Sequence, residues 1–187
     1  EYVFTKIEPF AEYGFNKSHA AAYALIAYQT AYLKTYYKED FIAATMSTEL
    51  TNTGKLREFV EELKRLKVEV VRPDINSCYA EFKAKKNKIF YGLGAIKSVG
   101  FEAVSNIIKE REKHGKFKSL NDFINRINQK DVNKLQLEGL VKAGAFDTLE
   151  KNRKKLINSI PKIILTIKKI NEDKNSNQAS LFQNKSN

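Results

Sequence analysis

Leu56, Phe59, Val60, Leu63 and Leu66 return every three or four residues, the period of one helical face. With Thr53 as its cap, this stretch predicts an inward-facing helix that continues to about Lys67. Upstream, an alanine-rich segment over about 18–37 predicts a longer helix with Ser18 at its N-cap. Tyr28, Tyr32 and Tyr36 fall four apart within it, a stripe that reads better as core-facing than as a base-stacking surface. A further helix is expected over 39–50.

At Val68 the period changes. Val68, Val70 and Val71 predict a short strand, and Arg72-Pro73-Asp74 a turn. Alternation in Tyr79-Ala80-Glu81-Phe82 and in Ile89-Phe90-Tyr91, around Lys85-Lys86-Asn87-Lys88, predicts a small hairpin. From Gly92 onward the pattern is one of short helices separated by glycines. Ser119-Leu120-Asn121-Asp122 resembles a capping box, and 132–143 reads as a helix closed by Gly144. Leu156, Ile160, Ile163, Ile167 and Ile170 form a seam at alternating spacings of four and three, with Pro161 either in a first turn or at a kink. Beyond it the chain turns polar and asparagine-rich, which predicts disorder over 171–187. The expected fold class is mainly α: a helical first segment, a small β-hairpin, then a helical subdomain and a disordered tail. A subdomain boundary is expected between Val68 and Ser77.

Composition narrows the chemistry. Of 187 residues 42% are hydrophobic, enough for folded cores. One cysteine, Cys78, excludes an internal disulfide framework and fits a reducing cytosol; with two histidines it leaves too few ligands for a structural zinc. No apolar run is long enough to cross a bilayer. The chain starts at Glu1 without a methionine or a signal-like stretch, and so reads as a piece of a longer protein or a trimmed product. The net charge of +11 is unevenly placed: residues 1–75 carry 10 basic and 11 acidic side chains, residues 76–187 carry 23 and 11. That asymmetry points the second half toward nucleic acid. The competing explanation is a composition rich in lysine throughout.

Three motifs carry candidate chemistry. Around Asn16, Lys17, Ser18 and His19, a lysine and a hydroxyl stand at the start of a long helix, where backbone N–H groups favour phosphate. His19 and Tyr23 share a helical face there. A plain cap at Ser18 explains the same residues without a ligand. Residues 92–113 have the form of a helix-hairpin-helix, two short helices joined by a Val99-Gly100 turn whose amides grip phosphate without reading bases. Lys97 flanks the turn, Lys109, Arg111 and Lys113 add charge, and Val104, Ile107 and Ile108 supply the buried face. Ser98 stands where such hairpins commonly carry glycine, and its side chain would either hold the backbone off the phosphate or donate a hydrogen bond. A purely structural helical hairpin is the alternative. Lastly, Leu181 and Phe182 are adjacent large apolar residues in a polar tail, the mark of a short docking motif.

The string Tyr13-Gly14-Phe15-Asn16-Lys17-Ser18-His19-Ala20-Ala21-Ala22-Tyr23-Ala24 resembles the fingers region of C-family replicative polymerases, the α subunits of bacterial DNA polymerase III. The likeness continues through Tyr28-Gln29-Thr30-Ala31, Arg72-Pro73-Asp74-Ile75-Asn76-Ser77, Tyr91-Gly92-Leu93-Gly94-Ala95-Ile96-Lys97 and Leu140-Val141-Lys142-Ala143-Gly144-Ala145-Phe146-Asp147. It implies that 1–72 is part of the fingers, 73–150 a hairpin plus DNA-binding subdomain, 151–170 an amphipathic helix, and 171–187 a tail. It further implies that Lys17 meets the triphosphate of an incoming deoxynucleotide, Ser18 positions it, His19 lies near the sugar, and Asn16 contributes more weakly. Gln178, Leu181 and Phe182 resemble the bacterial sliding-clamp-binding pentapeptide. The resemblance places the metal-binding aspartates upstream, and no Asp-x-Asp pair occurs here. No catalytic residue, metal ligand or cofactor is therefore expected in this chain, which alone should be inactive, while the complete polymerase would use Mg2+. Implied partners are primer-template DNA, an incoming deoxynucleoside triphosphate, the sliding clamp and other replicase subunits, with no membrane and a cytoplasmic, nucleoid-associated location. A non-catalytic helix-hairpin-helix adaptor that binds DNA and clamp is the rival, though it leaves Asn16 to His19 unexplained.

Overall fold

The computed structural model describes the backbone of residues 2–13 and 17–175, and the side chains of all of these except 8–13, 17 and 175. The described residues are mainly helical with one small sheet. Helix α1 (Tyr2–Tyr13) precedes the expected long helix, α2 (Lys17–Tyr36), which gives way at Tyr37 to α3 (Lys38–Thr48). Asn52, rather than Thr53, caps α4 (Thr53–Arg65), its side chain accepting from the Lys55 amide at 3.2 Å. At the other end Lys67 adopts φ 56°, the Val68 amide reaches back to the Leu63 carbonyl at 3.0 Å, and the Lys67 amide to Lys64 at 3.1 Å. This is a Schellman closure with lysine in the place usually held by glycine.

That closure sends the chain into β1 (Glu69–Val71), which pairs in parallel with β3 (Lys88–Phe90); β2 (Lys83–Lys85) pairs antiparallel on the other side of β3. Lys86 and Asn87 both have positive φ, 52° and 58°, as a two-residue type I′ turn requires. The tight turn fixes the register: Lys85 pairs with Lys88 and Ala84 with Ile89. The ladder therefore sits nearer the turn than the 79–82 alternation predicted, and Tyr79 instead bridges Gly92 in parallel.

Two apolar clusters result. Ile42, Met46, Leu56, Leu63, Val68, Phe82 and Ile89 fill the first, between α3, α4 and the sheet. The second gathers α5 (Phe101–His114), α6 (Leu120–Arg126), α7 (Lys134–Ala143) and α8 (Arg153–Asn175) around Ile107, Phe123, Leu140, Phe146 and Ile160. Tyr91 packs against both. The chain thus returns to the first core at Phe82 and Ile89 after it has entered the second at Ile75.

Two expectations need correction, and a third is narrowed. The tyrosine stripe is not core-facing: Tyr28, Tyr32 and Tyr36 are 68%, 45% and 69% exposed. Helix α2 is exposed from Ser18 to Tyr36, because among the described residues its contacts are at its end, with α3 and α4, where Lys34 pairs with Glu62 at 2.9 Å. Residues 171–175 are not a tail but the last turn of α8. Asn171 donates to the Ile127 carbonyl at 3.2 Å and Lys174 to Asn125 at 2.7 Å, which hold that turn against α6. Pro161 lies well inside α8 rather than in its first turn. The remainder of the expected tail, 176–187, falls outside the described residues.

Candidate nucleic-acid interface

The turn at 97–100 is built by three neighbouring segments. Ahead of it, where the first of two short helices was expected, the chain makes a single 3-10 turn (Leu93–Ala95). Its amides are committed sideways: Leu93 donates to Tyr79 at 2.8 Å and Gly94 to Ala80 at 3.0 Å. A Cβ on Gly94 would lie 2.9 Å from the Ala80 carbonyl and 3.0 Å from the Phe101 ring, so only glycine fits there. The Val99 amide then closes on the Ile96 carbonyl at 3.0 Å, and Ser98 takes φ 68°, the pattern of a type II turn. From the far side α7 supports the turn. A Cβ on Gly139 would stand 2.8 Å from the Lys97 carbonyl.

This construction divides the expected contacts. Lys97, Ser98 and Gly100 are exposed, as are Lys109 and Lys113 along α5. Gly100 is the N-cap of α5 and offers no side chain to occupy the amides of the first helical turn. Val99, by contrast, is buried, and its amide is used within the turn, so it anchors the hairpin. Arg111 is likewise turned inward, only 6% exposed. Its Nη1 donates to the Ile75 carbonyl at 2.8 Å and to Cys78 at 2.6 Å, and its guanidinium lies 5.3 Å from the Tyr79 ring centroid. It tethers α5 to the 75–79 segment and leaves the basic face to Lys97, Lys109 and Lys113. Glu102 in the first turn of α5 tempers that face.

Arg126 was not singled out by the sequence. It donates to the Glu110 carboxylate at 3.1 Å, to Asp122 at 3.2 Å and to the Gly115 carbonyl at 2.9 Å, over the Phe117 ring. This latch fixes the far end of α5 against α6. Desolvation opposes ionisation of Glu110, but the hydrogen bonds from Arg126 and His114 outweigh it and hold the carboxyl below its ordinary range.

For the first motif, Asn16 lies outside the described residues, and Lys17 opens α2 with its side chain outside them too. Ser18 and His19 are exposed in the first turn, and the His19 ring centroid lies 4.3 Å from that of Tyr23. Their shared face is as the spacing predicted. Gln178, Leu181 and Phe182 all fall outside the described residues. Among the described residues no helix is long and apolar enough to cross a membrane.

A family model described as a helix-hairpin-helix motif matches residues 67–156. The DNA polymerase III subunit alpha of Borreliella burgdorferi is 47% identical over 180 residues, which is 96% of this chain and 16% of that protein. The proteins of the same name from Xylella fastidiosa and Campylobacter jejuni are each 44% identical, over 97% and 94% of this chain and 15% of their own lengths. The chain thus spans about one-sixth of the length of these curated relatives.

Proposed function

The chain is homologous to one segment of the DNA polymerase III α subunits, and from that premise we propose that it holds the substrates of template-directed DNA synthesis while the chemistry is done by other parts of the polymerase. The observation that carries this reading is the 97–100 turn within the matched helix-hairpin-helix region: an exposed lysine, an uncapped helix start and a glycine N-cap side by side. Such a surface binds phosphate oxygens through charge and backbone amides, and so takes duplex DNA of any sequence.

Two further roles belong to the same proposal. The start of α2, with Lys17, Ser18 and His19 and with Asn16 beside it, meets the incoming deoxynucleoside triphosphate, Lys17 at the phosphates and His19 at the sugar. Gln178, Leu181 and Phe182 dock into the sliding clamp and keep the polymerase on its template. Nucleotidyl transfer in the complete enzyme uses Mg2+ held by carboxylates beyond this segment, so the chain alone is inactive.

The DNA-holding role is tested by Lys97→Gln. Its affinity for a labelled duplex, measured by fluorescence anisotropy across a salt series, should fall, and the log–log salt slope should become shallower by about 1. An unchanged slope removes the turn from the DNA path.

A further inference from the structure

The 97–100 turn is not the only exposed basic element. Lys83, Lys85, Lys86 and Lys88 crowd the β2–β3 hairpin, all exposed. Two of them have local work: Lys88 pairs with Glu69 at 2.7 Å, and the Lys83 Nζ lies 4.4 Å from the Tyr79 ring centroid. Neither Lys85 nor Lys86 forms an ion pair among the described residues. Lys86 also occupies the first turn position at φ 52°, where glycine, asparagine or aspartate is favoured and a long side chain costs stability. Lysines on an edge strand guard against aggregation. That accounts for Lys83 and Lys85 on β2 but not for a strained lysine at the tip.

The hairpin is also joined to the helix-hairpin-helix. A cleft of about 370 Å³ is lined by Tyr79, Lys83 and the acidic Glu81 on one side and by Phe101, Ser105 and Lys109 of α5 on the other. Phe101 directly follows Gly100, the N-cap of α5. Lys83 and Lys85 are two apart on β2 and so share one face of the sheet, the face that borders the cleft. Cationic positions therefore follow one another from Lys85 and Lys83 through Lys109 to the turn and Lys97.

We propose that the β2–β3 hairpin is a second nucleic-acid backbone contact, continuous with the 97–100 turn across the Phe101 cleft, so that the chain grips duplex DNA along a strip. The path of the DNA rests on the reading of the turn given under Proposed function; the hairpin's own contact does not. The test uses the 187-residue chain and a labelled random-sequence duplex of several helical turns, with salt titrations of four variants. Lys85→Gln with Lys86→Gln should make the salt slope shallower by about 2, and adding Lys97→Gln should lower it by about 1 more. Lys168→Gln with Lys169→Gln on α8 removes the same charge far along the chain and controls for net charge alone. A hairpin loss no larger than this control overturns the proposal while leaving the turn in place. A full hairpin loss with no effect of Lys97→Gln removes the turn instead, and the hairpin contact stands. Lys86→Gly guards against misfolding as an explanation: it should raise the melting temperature while weakening DNA binding, and unchanged binding counts against the proposal.

Discussion

A guanidinium inside an apolar cluster persists only where its donors meet fixed acceptors. Arg111 does so through two main-chain carbonyls, those of Ile75 and Cys78, which the 74–78 turn presents side by side. Arg111→Met would keep the packing volume but leave both carbonyls without that donor. The expected cost is roughly 2–4 kcal/mol in urea-derived unfolding free energy, with DNA affinity of the folded protein unchanged. A loss of affinity at intact stability would return Arg111 to the DNA face. Ser98 raises the opposite issue, a small polar residue in a left-handed conformation. Ser98→Val should lose roughly 1–2 kcal/mol, because a β-branched side chain tolerates positive φ poorly, whereas Ser98→Gly should lose none. Equal stability for both variants would mean that the turn relaxes freely.

Elements here are bounded by local chemistry that the sequence carries openly. Asn133 and Gln136 form a reciprocal capping box on α7, and Gly144 closes that helix at φ 86°. Ser119 caps α6 by accepting from the Asp122 amide at 3.1 Å, while the Asp122 carboxylate accepts from the Lys118 amide at 2.9 Å and from Arg126. The hydrogen bond from the Lys118 amide, followed by that from Arg126, holds the Asp122 carboxyl below the ordinary carboxylate range. A carboxyl depressed in the folded state stabilises above its unfolded pKa and loses that contribution as pH falls through the folded one. The melting temperature should therefore drop as pH falls below the ordinary aspartate pKa, and Asp122→Asn should lower stability at neutral pH and flatten this acid limb. An identical acid limb in the variant would show that other carboxylates set it.

At the scale of the whole molecule, the two cores account for most of the apolar pattern but not for α2. Tyr23, Leu25, Ile26, Tyr28 and Leu33 remain exposed, since an apolar helix is buried only if something packs on it, and among the described residues only its end meets other elements. The basic surface is likewise a product of arrangement. Lysines from β2, from the 97–100 turn and from α5 come together only because the Tyr79, Ala80 and Gly92 segments are laced across one another. The proposed clamp tethering is tested at this scale too. Replacing Leu181 and Phe182 with alanine should abolish retention of the chain on immobilised sliding clamp while leaving its DNA affinity intact; undiminished retention would exclude these residues as the docking motif.

The helices α2 to α8, the hairpin, the seam of α8 and the glycine closures follow from periodicity, caps and turn residues, because those forces act between residues a few positions apart. Lys97 and Lys109, and Ser18 and His19 in the first turn of α2, are placed for the same reason, beside a turn or a helix start. What the sequence left open is the direction each side chain takes. Arg111 and Lys109 stand on one helix two residues apart, and only the fold decides that one is buried and the other exposed. The acceptors that draw Arg111 inward lie 36 and 33 positions away, at Ile75 and Cys78. The exposed tyrosines of α2 teach the converse: an apolar stripe records a capacity for burial, and only the tertiary structure shows whether this chain supplies a partner, because burial needs a second surface that no single helix encodes.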